Sequence, residues 1–345
     1  MSESSVHLAI ILPVYNTEKY LSSCLDSLKN QSNQNFTVYA IDDGSTDGSG
    51  ALLDELSGDP RFVIVHKTNG GVSDARNKGL ELAKASPRNT FISFIDSDDI
   101  LSEKYVEICL KHMSNDANVD YAVFAYQKFD KKGLIHNKHI PLVTQRLNQD
   151  QIAEHYFRIP EPSHKAQDLT LGRFLCNKVF RTATLQMISF NTNMTCGEDQ
   201  DFFIRLIPHL KNGILIPDIL YYYRLRKSSL SHSLINTEPN MELFERLYFG
   251  DFPMCLSARK GIELSLLDSW WQETKRVYEN GANPSDRKKV RETFRRLQDT
   301  TLLNPLSKKF KKRFKLMRLG DWFLMLYFTM RVNKNNELTK YYYFD

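Results

Sequence analysis

TFISFIDSDD, residues 90–99, is the stretch that decides the fold, because it joins an apolar run directly to three aspartates. A run rich in β-branched and aromatic side chains is typical of a strand that is buried on both faces of a parallel sheet. Three carboxylates in four residues cannot all lose their water without a counter-charge, so they favour a ligand site where the strand ends. The alternative is a solvated turn that caps the next helix.

The same alternation of apolar runs and amphipathic segments extends on both sides of this stretch. The predicted strands are HLAIIL, FTVYAI, FVIVH, TFISFI and YAVFAY, with a later strand pair at 214–216 and 220–224. The predicted helices are residues 18–30, 49–56, 73–85, 102–114, 150–158 and 198–209. Four consecutive β-α units predict an α/β fold with a mostly parallel, doubly wound sheet. Because ligands bind beyond the carboxyl ends of such strands, we expect the site in the loops after Leu12, Ile41, His66 and Ile95.

Composition limits the class of protein. The chain has 345 residues, 41% of them hydrophobic and 25% charged, which is ordinary for a globular protein. Its net charge of +5 is too small to favour nucleic acid, so we expect no nucleic-acid partner. The five cysteines include no C-x-x-C pair, which favours a reducing compartment over a disulfide framework. No signal-like N-terminus is present and no run approaches the roughly 20 apolar residues that span a bilayer, so we expect a cytoplasmic location.

The loops after the first two strands suit a nucleotide. Pro13 fixes the backbone and Tyr15 offers a face on which a base can stack, although a turn with a helix cap from Asn16 or Thr17 explains this loop better when it is taken alone. Asp42 and Asp43 can accept hydrogen bonds from uracil N3–H or from ribose hydroxyls. An Asx turn accounts for the polar residues that follow them but not for the doubled acid.

The next two strand ends suit a diphosphate and a metal ion. Gly70 and Gly71 open a turn whose free backbone N–H groups, together with Arg76 on the following helix, would suit a diphosphate, and a plain loop is an equal alternative. Asp96 and Asp98 offer hard oxygen ligands, which select Mg²⁺ or Mn²⁺. An ion bound there would bridge to a diphosphate.

One acidic pair lies far downstream, in the segment GEDQDF of residues 197–202. Glu198 and Asp199 open a predicted helix, and its macrodipole stabilises carboxylates at the N-terminus, so the pair has a structural explanation as well as a catalytic one. Chemistry beside a diphosphate needs a proton acceptor, and this need favours the catalytic interpretation.

Five motifs in a fixed order carry a resemblance to a known family. PVYN, IDDGSTD, NGGVSDARN, FIDSDD and GEDQDF resemble the motif series of glycosyltransferase family 2, whose members are inverting enzymes of the GT-A fold. CNKVF at residues 176–180 and YYYR at 221–224 resemble bacterial members. The resemblance implies a metal-dependent enzyme that moves a hexosyl or N-acetylhexosaminyl group from a UDP-sugar to a carbohydrate or lipid-linked glycan. Synthesis of a bacterial surface polysaccharide, such as lipopolysaccharide or capsule, is the implied context.

The resemblance also implies roles for single residues. Tyr15 and Asp43 would contact the base, Asp96 the ribose and the Mn²⁺ or Mg²⁺ ion, Asp98 the ion directly, and Asp199 would be the catalytic base. The nucleotide-sugar-binding residues implied are Pro13, Tyr15, Asp42, Asp43, Arg76 and Asp96. Further candidates are Glu198, the arginines Arg224 and Arg226 beside the departing diphosphate, and His232, for which an ordinary surface position is the stronger interpretation.

The domain prediction follows from the extent of these motifs. We expect a GT-A catalytic domain over residues 1–235, with a nucleotide-sugar-binding half at 1–128 and an acceptor-side half at 129–235, followed by a helical region at 236–345. The segment 308–331 interleaves cations with apolar residues, which predicts peripheral contact with an anionic membrane on the inner face of the plasma membrane. Packing of this segment on the catalytic domain is an equal alternative.

Two other functions compete with the transferase. A sugar-nucleotide nucleotidyltransferase also uses an α/β sheet and a divalent ion, but it usually has a glycine-rich phosphate loop after its first strand, where this chain has Pro13 to Asn16. A catalytically silent glycan-binding protein is the second alternative, and the acids Asp98 and Asp199 argue against it.

Overall fold

The β-α alternation of the N-terminal third forms the predicted sheet. The computed structural model describes residues 6–135, 143–157, 174–194, 197–226, 237–250, 254–279, 284–298, 308–318 and 324. The strands are β1 (Leu8–Val14), β2 (Phe36–Asp42), β3 (Phe62–His66), β4 (Phe91–Phe94), β5 (Ile100–Leu101), β6 (Tyr121–Asp130), β7 (Gly133–Ile135), β8 (Gln145–Asn148), β9 (Lys178–Arg181) and β10 (Asn212–Arg224). The helices are α1 (Glu18–Lys29), α2 (Ser49–Asp54), α3 (Val72–Ala85), α4 (Tyr105–Ser114), α5 (Gln149–Phe157), α6 (Glu198–Leu206), α7 (Thr237–Phe249), α8 (Leu256–Glu279), α9 (Pro284–Gln298) and α10 (Lys308–Met317).

These strands form one mixed sheet in the order β3-β2-β1-β4-β9-β6-β10-β5, with β7 beside β6 and β8 beside β10. Strands β1 to β4 pair in parallel, and every residue of β1 and β4 is buried, as their continuous apolar runs predict. Strand β9 runs antiparallel between β4 and β6, while β6 and β10 are parallel to each other. The predicted α/β class, with helices around a mostly parallel sheet, is confirmed.

Helix α3 packs closely on the sheet, and this packing determines where Arg76 lies. A Cβ atom added at Gly79 would come within 2.6 Å of Cγ2 of Ile11 and 3.4 Å of Cγ1 of Ile41. A glycine at this position therefore allows α3 to approach β1 and β2 so closely. Arg76, on the preceding turn of α3, is buried as a consequence.

The strand pair predicted within residues 214–224 is a single strand, so that prediction is wrong. Strand β10 continues through the whole segment beside β6, and a shift of register between Ile216 and Ile219 absorbs the irregularity. Pro217 lies in this break, where it cannot donate a hydrogen bond to the ladder. The chain bulges there instead of turning back, so β10 reaches β5 and the aspartate stretch that precedes it.

The chain forms two compact units, one of residues 1–233 and 253–258 and the other of residues 234–252 and 259–345. The described part of the second unit is helical, which confirms the predicted helical C-terminal region. In its core, Trp270 stacks on Phe294 with 5.6 Å between the ring centroids and donates its indole N–H to the Val290 carbonyl over 2.9 Å. None of the helices that the structure describes has both the length and the apolar character needed to cross a bilayer.

Candidate active site

The loop after β1 presents Tyr15 to solvent. Its side chain is 49% exposed, which is unusual for a large aromatic residue beside a buried strand. Asn16 has a positive φ of 49° and donates its N–H to Ser45 Oγ over 3.1 Å, while its side chain accepts the N–H of Thr46 over 2.8 Å. These bonds connect the first loop to the second, because the two strand ends are neighbours in the sheet. The backbone next to Tyr15 is thus held beside the loop that follows Asp42 and Asp43, and the exposed Tyr15 ring is open to a flat ligand.

Asp42 and Asp43 have separate counter-ions, which relieves the repulsion expected from their adjacency. Asp42 accepts the N–H of Ser45 over 2.9 Å and lies 2.8 Å from Nδ1 of His66. Burial raises the pKa of the Asp42 carboxyl, but the hydrogen bonds from Ser45 and His66 outweigh it and keep the pKa below its usual value. Asp43 is also buried and pairs with Nζ of Lys67 over 2.5 Å. Both side chains are therefore firmly positioned at the end of β2.

The glycine loop after β3 does not offer the free backbone donors that were predicted for a diphosphate. Gly70 and Gly71 donate their N–H groups to the two carboxylate oxygens of Asp43, over 2.9 Å and 2.8 Å. Gly71 has a φ of +88°, a conformation that favours glycine. The loop thus serves to hold Asp43, and that part of the diphosphate prediction is wrong.

Arg76 connects two acidic clusters that are far apart in the sequence. Its guanidinium donates to Asp96 over 3.0 Å and to Glu198 over 2.9 Å, and it lies 5.5 Å from the centroid of the Phe190 ring. Burial lowers the pKa of Arg76, but the charges of Asp96, Glu198 and Asp199 more than offset this and hold the pKa above its usual value. Its buried Nε–H has no hydrogen-bond partner among the described residues. A fully charged guanidinium with one unused donor suits an anionic ligand.

The three aspartates after β4 have three different environments. Asp99 is buried and accepts hydrogen bonds from the Tyr221 hydroxyl over 2.6 Å and from the Arg224 N–H over 2.7 Å. Burial, together with the charges of Asp98 and Asp96, raises the pKa of Asp99 well above its usual value. Asp99 therefore anchors this loop to β10, a role that the sequence did not reveal.

The other two aspartates face the site. Asp98 forms an ion pair with Arg226 over 2.6 Å, and its backbone carbonyl accepts Nε–H of Arg224 over 2.7 Å. Asp96 is the most open of the three, with 36% of its side chain exposed. Burial and the charge of Asp96 raise the pKa of Asp98, and Arg226 opposes them. The negative charge of this loop is thus partly neutralised by Arg76 and Arg226.

The residues at this edge fit a hard divalent cation. Carboxylate oxygens of Asp96 and Asp99 and the sulfur of Cys176 lie within 4.8 Å of one another. Both oxygens of Asp99 already accept hydrogen bonds, and burial raises the pKa of the Cys176 thiol, so it stays a protonated, soft donor. Asp96 and Asp98 remain the predicted oxygen donors for Mn²⁺ or Mg²⁺, but Asp98, whose carboxylate pairs with Arg226, is not one of these three residues.

Asp199 differs from the acids around it. It lies in the first turn of α6, after Gly197, which has a left-handed φ of 76°. Glu198 pairs with Arg76 and Asp201 pairs with Arg205, whereas Asp199 forms no ion pair within the part of the chain that the structure describes. Burial of its carboxyl and the neighbouring Glu198 charge raise the pKa of Asp199 to about 7, against the opposing effect of Arg76. A carboxylate with this pKa can take up a proton near neutral pH.

Two further residues of the site escaped the sequence analysis. Lys178 in the CNKVF segment is buried; it donates to the side-chain oxygen of Asn177 over 2.8 Å and lies 5.3 Å from the centroid of the Phe203 ring. Burial lowers the pKa of Lys178 to about 7. Tyr20 of α1 is partly exposed and lies beneath two arginines, Arg224 and Arg226. The candidate His232 lies outside the described residues.

Comparisons with known proteins agree with this architecture. Residues 9–188 match the profile of a family described as Glycosyl transferase family 2. The protein EpsH of Bacillus subtilis (strain 168), named as a glycosyltransferase, is 31% identical over 231 residues, which cover 65% of this chain and 62% of EpsH. The teichoic acid poly(glycerol phosphate) polymerase of Staphylococcus epidermidis is 28% identical over 254 residues, 71% of this chain and 32% of the polymerase. This chain therefore matches less than two thirds of the length of either relative.

A solved structure supports the same assignment at the level of the fold. The structure of S. aureus TarS residues 1–349 has a TM-score of 0.67 and 17% identity, and the match covers 99% of this chain and 94% of TarS 1–349. TarS 1–349 has also been solved in complex with UDP-GlcNAc. The likeness confirms the predicted GT-A fold. With the profile covering more than half of its residues, this chain belongs to glycosyl transferase family 2.

Proposed function

We propose that the protein is an inverting glycosyltransferase that moves a sugar from a UDP-sugar to a hydroxyl of a carbohydrate or lipid-linked glycan. One observation carries this proposal. Asp199, a carboxyl whose pKa is near neutral, lies beside Glu198, and Arg76 joins Glu198 to Asp96 at the predicted metal edge. Arg76 thus joins Glu198, the chain neighbour of the proposed proton acceptor, to Asp96, a proposed metal ligand.

Three features support a nucleotide diphosphate as the donor. The exposed Tyr15 ring can stack on a base, and Asp42 and Asp43 are positioned beside it. The Nε–H groups of Arg76 and Arg226 are buried and have no hydrogen-bond partner among the described residues, so a diphosphate would supply the acceptors that they lack. A UDP-sugar is the donor we favour because the UDP-GlcNAc complex of TarS has the same fold.

Asp199 would act as the general base. As the acceptor hydroxyl attacks the anomeric carbon, its proton passes to the Asp199 carboxylate, and the bond between that carbon and the diphosphate breaks. Attack from the side opposite the leaving group inverts the configuration. Arg76 would hold the diphosphate and keep Glu198 neutralised. A divalent cation, held by Asp96 and Asp98, would supply charge stabilisation for the departing UDP.

The positive charge of the helical unit is the basis for our proposal of the acceptor and of the protein's location. A concave surface on α9 is lined by Arg287, Lys288, Arg291 and Arg295 together with one acid, Glu292, and the sequence 308–315, where α10 begins, has six cations in eight residues. Such surfaces attract polyanions or an anionic leaflet. Synthesis of a bacterial surface polysaccharide, with peripheral contact to the inner membrane face through 308–331, is consistent with this charge and with the relatives' names.

The test is the release of UDP from a panel of UDP-sugars, with Mn²⁺, Mg²⁺ or EDTA and with candidate glycan acceptors. We expect metal-dependent release of UDP from at least one donor, its loss in Asp98→Ala, and a β-linked product from an α-linked donor. Asp218→Asn, an exposed acid on β10, is the matched control and should behave as the unchanged protein. Exchange of pyrophosphate into a nucleotide sugar would instead indicate a nucleotidyltransferase. The absence of both reactions would indicate a binding protein.

A further inference from the structure

Asp98, a predicted metal ligand, already has a cationic partner in this structure. The guanidinium of Arg226 lies 2.6 Å from its carboxylate oxygen, and the two side chains are only 25% and 13% exposed. The same guanidinium lies 5.2 Å from the centroid of the Tyr20 ring. Because water screens such a pair only weakly, Arg226 supplies the positive charge that Asp98 would otherwise receive from a metal ion.

A guanidinium and a divalent cation compete for this carboxylate. A metal ion on the Asp98 carboxylate would lie a few ångströms from the guanidinium of Arg226, and two cations this close in a partly buried site repel each other. Metal binding at Asp98 therefore favours movement of Arg226 to a new anion. The ion pair therefore makes the binding of a metal ion in the absence of nucleotide less favourable.

The two arginines at the end of β10 differ in their freedom to move. Arg224 is fixed through its backbone N–H to Asp99, its Nε–H to the Asp98 carbonyl, and its guanidinium 4.4 Å from the centroid of the Phe129 ring. Arg226 lies beyond the last residue of β10, and its buried Nε–H has no hydrogen-bond partner among the described residues. Arg226 can thus exchange partners while Arg224 stays in place.

We propose that Arg226 is a resident counter-ion of Asp98 that is exchanged for the divalent cation when a nucleotide diphosphate binds. The diphosphate accepts the N–H groups that Arg226 withdraws from Asp98, and Asp98 becomes available to the metal. This exchange rests on the proposed function for the identity of the diphosphate. Its consequence is that cation and nucleotide each bind weakly alone and strengthen each other's binding by the same factor.

The test is a titration of the protein with Mn²⁺, in which free Mn²⁺ is measured by electron paramagnetic resonance, with and without saturating UDP. Arg226→Gln removes the competing cation, so its affinity for Mn²⁺ without UDP should rise about tenfold, within the range of ordinary coupling between sites. The factor by which UDP tightens Mn²⁺ binding should fall by a similar amount. Arg226→Lys keeps a cation and should behave more like the unchanged protein.

A double-variant cycle separates this exchange from a general change in charge. In an Asp98→Asn background, Arg226→Gln should raise Mn²⁺ affinity no more than the loss of a nearby positive charge does, because the pair no longer exists. Arg224→Gln removes an equal charge nearby without removing a contact to the Asp98 carboxylate, and it should raise Mn²⁺ affinity less than Arg226→Gln. Thermal unfolding of each variant identifies any that fails to fold, and Arg226→Met, which also removes the charge, then takes the place of Arg226→Gln.

Unchanged or weaker Mn²⁺ binding by Arg226→Gln without UDP would overturn the proposal, as would the same gain in the Asp98→Asn background. Absence of Mn²⁺ binding to the unchanged protein even with UDP would also overturn it. The proposed function can fail separately. If no UDP-sugar is turned over but Mn²⁺ and UDP still bind with a coupling that depends on Arg226, the exchange stands and the transferase assignment falls.

Discussion

The two acidic clusters of the site, residues 96–99 and 198–201, each contain three carboxylates within four residues. In each cluster one acid is buried and serves as an anchor, Asp99 toward β10 and Asp201 toward Arg205. In each cluster a second acid pairs with an arginine from another element, Asp98 with Arg226 and Glu198 with Arg76.

The clusters differ in the surroundings of the third acid. Asp96 is paired with Arg76 and is the most exposed of its group, whereas Asp199 forms no ion pair within the described residues and its pKa is raised to about 7. The number of acids is therefore not what distinguishes the clusters. Arginines partly neutralise the first cluster, in which Asp96 and Asp98 are the proposed metal ligands, whereas burial and the Glu198 charge leave Asp199 suited to take up a proton.

The largest expected effect follows from removing the proton acceptor. Asp199→Asn should lower the rate of sugar transfer about 10³-fold, because general-base catalysis typically contributes 10²-fold to 10⁴-fold. The change is measured as the initial rate of product formation at saturating donor and metal. Asp218→Asn is the control. A variant that transfers sugar at the normal rate would show that Asp199 is not the base.

A smaller effect, on stability, distinguishes the structural acid Asp201 from the proposed proton acceptor Asp199 in the same helix, α6. Asp201→Asn should lower the free energy of unfolding by about 2 kcal/mol, because it removes a fully buried carboxylate from its bonds with Arg205. Asp199→Asn should leave stability unchanged or raise it at pH 8. The raised folded-state pKa of Asp199 means that its ionised form, present above about pH 7, is penalised in the folded protein, and asparagine removes that penalty.

Urea denaturation of the ligand-free variants at pH 8 measures both changes. Equal losses of stability in the two variants would show that Asp199 is as much a structural residue as Asp201, and the contrast within α6 would then be lost.

The smallest expected effect is a shift in the dependence of rate on pH. Since the base must be ionised, kcat/KM should rise about tenfold per pH unit below pH 7 and level off above it. Arg76 lowers the pKa of Asp199, so Arg76→Gln should move the rising limb to higher pH. Arg205→Gln removes a cation that pairs with Asp201 instead, and its pH profile should keep the original midpoint. Identical profiles for both variants would contradict the assignment of the limb to Asp199.

The sequence predicted those features that depend on residues close together in the chain. Alternating apolar runs predicted the parallel strands and their helices, and the aspartates follow the carboxyl end of β4, where their place after an apolar run predicted them. Counter-ions were not predictable in this way, because Arg76 and Glu198 are 122 positions apart and their pairing depends on the finished fold. The use of the Gly70 and Gly71 N–H groups by Asp43 was hidden for the same reason.

Two other features were not predicted because the local sequence is compatible with more than one structure. Pro217 interrupts an apolar pattern, which is compatible with a turn between two strands or with a bulge within one, and pairing with β6 decided for the bulge. Three aspartates within four residues do not reveal which of them faces inward. Burial of Asp99 under Tyr221 separated the anchor from the two acids that face the site.

The most direct measurement is the affinity for UDP with and without Mn²⁺, determined by isothermal titration calorimetry for the unchanged protein, Asp98→Asn and Asp199→Asn. The division of roles between the two clusters predicts that Mn²⁺ tightens UDP binding in the unchanged protein and in Asp199→Asn, and that this gain disappears in Asp98→Asn. Persistence of the Mn²⁺ effect in Asp98→Asn, or its loss in Asp199→Asn, would contradict the assignment of cation binding to one cluster and proton transfer to the other.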